Sequence, residues 1–281
     1  MSDNNRAAYA PLDAGPKVKF VAAVNDVREG FRLWRNWSYL AAENVRNRYR
    51  RTVLGPWWVT AQTAFFVTGI AVVFGQVNNE PLRTFLPYTA LGYIAFMLVS
   101  GLTRTGASVF IRNAGTLKST RQALSSLVLR EVATEFFNFA HTFVPYFVMV
   151  VAGLVPLSPK MLIAIPVLGL IAVNGLFVGL WLGPIIARFR DVEPFVNSIL
   201  GVGIFFSPVF YHAGSLSSGA QAAVVTFNPF SYLIDAFRAP LIGEGLAPSF
   251  FIGLGIVTAV NAFLALAVFT TARSRLPYWV A

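Results

Sequence analysis

The sequence predicts an all-α polytopic membrane protein with about six spanning helices. Three observations carry that prediction: a mean hydropathy of +0.62, a charged fraction of 12%, and uncharged apolar runs of bilayer length. Soluble domains carry roughly 25% charged residues. A water-soluble fold of 281 residues could not hide a 56% apolar content that includes 26 Phe, 9 Tyr and 6 Trp. The chain has no cysteine, which excludes disulfides, thiolate metal sites and cysteine nucleophiles.

The elements follow in order. Residues 1–23 predict a flexible tail, polar and rich in Ala and Pro, with no apolar stretch before Val18 and therefore no cleaved signal peptide. Residues 24–52 predict an amphipathic interface helix and a basic connector. Val24, Val27, Phe31, Trp34 and Ala41 recur at helical spacing, while Asp26, Arg28, Arg32 and Arg35 fall largely elsewhere. Residues 53–272 hold the spans: Trp57–Gln76, Phe85–Thr103, Phe136–Leu157 continuing a helix from near Leu124, Met161–Ala187, Pro194–Phe210 and Pro248–Ala272. Before the last span, Tyr211 to Ala247 is too polar and broken to cross and too apolar for an ordinary loop. A re-entrant helical hairpin buried in protein fits that composition. Residues 273–281 form a second tail.

Charge placement sets the orientation. Arg6, Lys17, Lys19, Arg28, Arg32, Arg35, Arg46, Arg48, Arg50 and Arg51 precede the first span, and Arg104, Arg112, Lys118, Arg121 and Arg130 join the second to the third. Arg188, Arg190, Arg273 and Arg275 fall on the same side, against Arg83, Lys160 and Arg238 on the other. Both termini are therefore expected in the cytoplasm, and the net charge of +10 is a topology signal rather than a mark of nucleic-acid binding.

Few residues carry overt chemistry. Arg48, Arg50 and Arg51 beside Gly55-Pro56 and the Trp57-Trp58 pair form a basic, aromatic approach to the bilayer that could attract an anionic headgroup or a diphosphate. Gly175, Gly179 and Gly183 make a ridge for close helix packing. The segment Asn113 to Ser119 lacks the spacing of a phosphate loop, as does the rest of the chain, so ATP hydrolysis by this chain alone is not expected. The spans hold essentially no mid-membrane Asp, Glu, Lys or Arg, which argues against ion-coupled transport. His141 and His212 lack metal-ligand spacing, and no catalytic constellation or metal site is predicted.

Three segments together resemble the type-2 ABC transporter permeases that export O-antigen, capsule and teichoic-acid polysaccharides. They are Arg48 to Trp58 (RYRRTVLGPWW), Ala187 to Val192 (ARFRDV), and Asn228-Pro229-Phe230 through Asp235-Ala236-Phe237-Arg238. The resemblance runs from about Phe31 to Ala272. It implies a homodimer in the bacterial inner membrane bound to two separate nucleotide-binding subunits, which carry the ATP and Mg; this chain would hold no cofactor. Contact with those subunits would involve the Gly30–Ala42 region and Arg112, Asn113, Lys118 and Arg121. The cargo would be a glycan on a polyprenyl diphosphate, passing Trp57, Trp58, Phe65, Phe66, Phe205, Phe206, Phe210 and Tyr211. Two other readings stay open: a type-2 ABC permease for drugs or other lipids, and a membrane enzyme acting on lipid-linked sugars.

Overall fold

The computed structural model describes residues 15–120, 122–212, 219–245 and 248–280, and their regular structure is entirely helical. The chain begins with α1 (Pro16–Arg32) and α2 (Trp34–Arg48), followed by α3 (Trp57–Val77) and α4 (Leu82–Ala107). Two short helices, α5 (Val109–Arg112) and α6 (Ala114–Ser119), lead to α7 (Leu124–Thr142) and α8 (Val144–Val151). Then come α9 (Ala164–Arg188), α10 (Val192–Phe206), α11 (Ala220–Phe227), α12 (Pro229–Leu241), α13 (Pro248–Ala272) and α14 (Leu276–Trp279).

Four helical units are long and apolar enough to cross a bilayer: Trp57–Val77, Leu82–Ala107, Pro159–Arg188 and Phe250–Ala272. The protein is a multi-pass membrane protein. Its remaining expected spans are carried by shorter pieces, α7 with α8 and the 15-residue α10. The break between α7 and α8 has a local cause. Pro145 has no N–H to give the carbonyl four residues back, that of His141. Thr60 Oγ1 on α3 donates to that carbonyl at 2.8 Å instead, so the interruption leaves no orphan acceptor.

The helix α4 is the pillar. Its apolar window is 78% buried within the fold, against 22% for α3 and 17% for Phe250–Ala272. The glycine ridge on α9 meets this pillar: a Cβ on Gly106 would stand 3.1 Å from Gly179 Cα, and one on Gly183 would stand 3.0 Å from the Gly106 carbonyl oxygen. The ridge therefore serves packing inside one chain, since only glycine allows backbones this close. On its other side α9 is bonded to α13 through amides, with Asn174 Nδ2 donating to Thr258 Oγ1 at 2.9 Å and Asn261 Nδ2 to Asn174 Oδ1 at 3.0 Å. Trp181 Nε1 completes the set by donating to Asn261 Oδ1 at 3.1 Å.

The N-terminal region differs from expectation. The helix starts at Pro16, so residues 16–23 belong to α1 and not to a tail, and Leu33 divides α1 from α2. Of the five predicted face residues, Val24, Phe31 and Trp34 stay exposed. The packed side is a narrower one of Ala23, Asp26 and Gly30. The Asp26 carboxylate accepts from the first backbone N–H groups of α7, Leu124 at 3.1 Å and Ser125 at 2.9 Å. It also accepts from Arg273 Nε at 2.8 Å. One buried side chain thus caps α7 and ties α1 to the end of α13. The C-terminal residues are likewise packed, with Leu276 and Val280 buried.

Two outcomes are expected. Asp26→Ala removes the α7 cap and leaves Arg273 without its carboxylate, which costs about 3 kcal/mol or more. The thermal midpoint of the detergent-solubilised protein should fall accordingly, and Asp26→Asn, which keeps an acceptor, should lose less. Gly179→Val overpacks the α9–α4–α7 seam by about 1–3 kcal/mol and should lower the same midpoint, whereas Gly169→Val, at a position open to surroundings, should not.

Candidate functional site

A cavity of about 750 Å3 lies between α3, α4, α7 and α10. Its mouth is basic, lined by Arg48 at the end of α2, Arg104 in the last turn of α4 and Arg112 of α5. Arg112 is already engaged, donating to the Thr105 carbonyl at 2.8 Å and pairing with Glu131 at 3.2 Å. Two carboxylates, Glu135 of α7 and Glu193 of α10, line the same end. Glycine at position 101 gives Glu135 its place, because a Cβ there would stand 2.7 Å from Glu135 Oε2.

The wall changes character with depth. Gln62, Asn138 and Asn197 bring amides from three helices. Farther along, the Phe66 and Tyr93 rings stand 4.6 Å apart, with Phe96 nearby in the wall. Arg104 and Tyr93 share α4 and are separated by about 16 Å of helix rise. The route into the mouth depends on the turn before α3. Arg51 (φ 72°) and Gly55 (φ 57°) adopt left-handed backbone, and Pro56 opens the helix, which swings the chain from α2 into α3.

The opposite end of the molecule is closed by a different arrangement. The chain leaves α10 at Ser207 in extended conformation, and Pro208 cannot continue the hydrogen-bond ladder. Neighbouring elements supply donors for the freed carbonyls. Arg238 Nη1 reaches Pro208 O at 2.6 Å, Tyr88 Oη reaches Tyr211 O at 3.0 Å, and Asn78 Nδ2 reaches Phe210 O at 3.4 Å. Asn228 Nδ2 donates to Ser207 Oγ at 2.9 Å. The Arg238 guanidinium is paired with Asp235 and lies 3.6 Å from the centre of the Tyr88 ring. Beside it, His212 Nε2 meets Glu80 at 2.9 Å. Burial, aided by the Asp235 charge, raises the Tyr211 hydroxyl above its ordinary value, and that hydroxyl donates to the Phe205 carbonyl at 3.4 Å.

The family model for the ABC-2 type transporter matches residues 35–242, from α2 through α12. The chain belongs to this family. The match includes the cavity, the seam and the closed end, and leaves α1, α13 and α14 outside it. No curated protein matches the sequence. As an ABC-2 type transporter membrane domain the chain is a transport component, which fits a cavity lined by both charged and aromatic residues among spanning helices.

Within this transporter domain the predicted site residues separate. Of the three arginines proposed for a headgroup, Arg48 lines the cavity, whereas Arg50 lines a separate groove beside Glu43 and Pro56, and Arg51 lines neither. Among the predicted path aromatics, Phe66 lines the cavity; Trp57, Trp58, Phe65, Phe205 and Phe206 are exposed on α3 and α10. Phe210 lies in the core against Phe74 instead, and Tyr211 is half-buried. Of the residues predicted to meet ATPase subunits, Lys118 is exposed on α6, and Arg112 is drawn toward Glu131. Asn113 is turned inward, donating to Val109 O and accepting from Arg130, and Arg121 lies outside the described residues. No group of three or more metal-ligating side chains occurs among the described residues.

Sequence reasoning missed Gln62, Tyr93, Arg104 as a wall residue, Asn138 and Asn197. The available signal was uncharged polar residues at or near apolar spans. Arg238 was counted with the sparsely charged face and is in fact buried.

The closed end yields a prediction. In the cysteine-free chain, Ser207→Cys is buried and should label slowly with a membrane-impermeant maleimide. Adding Arg238→Ala should speed labelling about tenfold, equivalent to roughly 1.4 kcal/mol of opening free energy.

Proposed function

We propose that the chain is the permease subunit of an ATP-driven exporter that moves a polyprenyl-diphosphate-linked polysaccharide, O-antigen-like, out of the cytoplasm. The carrying observation is the cavity wall, where arginines, amides and aromatic rings succeed one another from the basic mouth inward. Arg48, Arg104 and Arg112 belong to the segments in which Lys and Arg concentrate along the sequence, which supports assignment of the mouth to the cytoplasmic side of a bacterial inner membrane, with both termini there. Sugars offer hydroxyls to amides and C–H faces to rings, and a diphosphate suits arginine.

The sequence has no phosphate loop, so hydrolysis is assigned to two separate nucleotide-binding subunits holding ATP and Mg. Lys118 on α6 and the exposed Trp34 and Tyr39 of α2 are the surfaces offered to them. Two copies of the chain are proposed to pair so that the exposed rings of Phe65, Phe205 and Phe206 border a shared route. An aromatic wall without charge lets a glycan slide without a tight resting place. Nucleotide-driven closure would move α5 and α6, tilt the spans and release the closed end held by Arg238.

The deciding experiment is a gentle pull-down of the tagged chain from native membranes, followed by mass spectrometry. An ATPase subunit in near-equal amount and a retained polyprenyl-linked glycan are expected. Recovery of the chain with neither would overturn the proposal. In addition, Phe205→Ala with Phe206→Ala should lower export several-fold while leaving ATPase association unchanged; unaltered export removes both rings from the route.

A further inference from the structure

A second hollow lies apart from the cavity, between the first turns of α1 and the last turns of α13. This groove measures about 420 Å3, with Lys19 and Phe20 on one wall and Phe263, Leu266, Ala267 and Thr270 on the other. The α13 wall belongs to the end of a spanning helix, and Arg273 follows it directly. The groove therefore stands where the hydrocarbon gives way to headgroups.

Its walls are apolar and turned outward. Phe20, Phe263 and Leu266 are all exposed, and Val18, Val21 and Val24 continue the exposed apolar side of α1 beyond the groove. The hydroxyls offer little to a polar ligand, because Thr270 donates to the Leu266 carbonyl at 2.7 Å and Thr271 to the Ala267 carbonyl at 3.1 Å. Surface of this kind on a spanning helix calls for a hydrocarbon chain.

One group breaks the pattern. Among the described residues of the lining Lys19 alone is charged, and it is half-buried. Among the described residues its ammonium forms no ion pair or hydrogen bond. The carboxylate best placed along the helix is Asp26, seven residues on and on the same face, but Asp26 is committed to Arg273 and to the start of α7. Lys17, two residues before Lys19, points to a different side of α1 and does not line the groove. A lysine laid over apolar walls keeps its ammonium at the headgroup level, and the counter-ion available there is a lipid phosphate.

We infer that the groove between α1 and α13 binds one anionic phospholipid. Its phosphate pairs with Lys19, and an acyl chain lies along Phe20, Phe263 and Leu266. The lipid holds the start of α1 against the last span, as the Asp26 node holds its middle. Neither helix lies within the matched transporter residues 35–242, and the site is independent of the exported cargo.

The test is native mass spectrometry of the detergent-solubilised full chain titrated separately with phosphatidylglycerol, phosphatidylcholine and undecaprenyl diphosphate. The wild type should hold one phosphatidylglycerol more tightly than either other lipid. Lys19→Ala should weaken that binding about fivefold, Lys19→Arg should restore it, and Lys17→Ala should change it less than about twofold. Ala267→Trp fills the groove from an exposed position without altering charge, and should weaken phosphatidylglycerol and phosphatidylcholine alike. Equal loss in Lys17→Ala and Lys19→Ala overturns the site in favour of general surface attraction, and unchanged binding in Ala267→Trp overturns the groove as its place. Tighter binding of undecaprenyl diphosphate, lost in Lys19→Ala, makes the groove a cargo site and overturns the phospholipid. In the cysteine-free chain, spontaneous disulfide formation between two copies of Phe263→Cys in native membranes places a second copy there instead, which also overturns the inference.

Discussion

Everything in this fold answers to one constraint: a polar group placed among spanning helices must find its partner within the protein. Each interruption of the helices has such an answer. Pro145 frees the His141 carbonyl and Thr60 takes it; Pro208 follows the end of α10 and Arg238 takes the Pro208 carbonyl. The amides of Asn174 and Asn261 satisfy each other, with Thr258 and Trp181, between α9 and α13. Among the described residues, Thr89 Oγ1, Arg130 Nε, Asn138 Oδ1, Asn197 Oδ1 and Ser231 Oγ are buried without such a partner.

The same constraint separates rigid from movable parts. The Asp26 node binds α1, the start of α7 and the end of α13 through buried charge and backbone, and it has no exposed edge that water could compete for. The glycine seam locks α9 onto α4 through backbone contact. The closed end is different in kind. Its bonds run from single side chains, Arg238, Tyr88, Asn78 and Asn228, to a short segment that is not itself helical. A few side-chain movements release that segment, whereas separating the seam or the node means breaking backbone packing. Motion in the proposed cycle therefore belongs at Ser207–His212 and α12, with α4 and α9 as the frame.

The fold was legible in the sequence because bilayer length, hydropathy and basic asymmetry are local properties. The glycine ridge of α9 and the helical segment before the last span were legible for the same reason. The site was less so. Arg48 was found because it stands beside a basic turn, yet Arg50 and Arg51, indistinguishable from it in sequence, turn out to lie away from the cavity. The backbone of the turn, with Arg51 and Gly55 in left-handed conformation, decides which arginine faces inward. Phe210 looked like the end of a span but falls beyond the break at Ser207, where the chain folds back into the core. Asp26 was hidden among surface charges of an amphipathic pattern, and its partners lie 98 and 247 residues away. Long-range pairing of that sort leaves no trace in local spacing.

One consequence joins cavity and route. The cavity wall carries Phe66, while Phe65, the next residue of α3, is exposed on the outside of the same helix. Across from it, α10 contributes Asn197 to the wall and Phe205 and Phe206 to the outer surface. Helices α3 and α10 are thus two-sided, polar or aromatic toward the cavity and aromatic outward. On the proposed reading, cargo would pass between these two helices to reach the shared route. Most of the α3 surface is free of the fold, and α10 packs chiefly on α4. On the proposed reading, the cavity and the aromatic route are the two sides of this pair of helices.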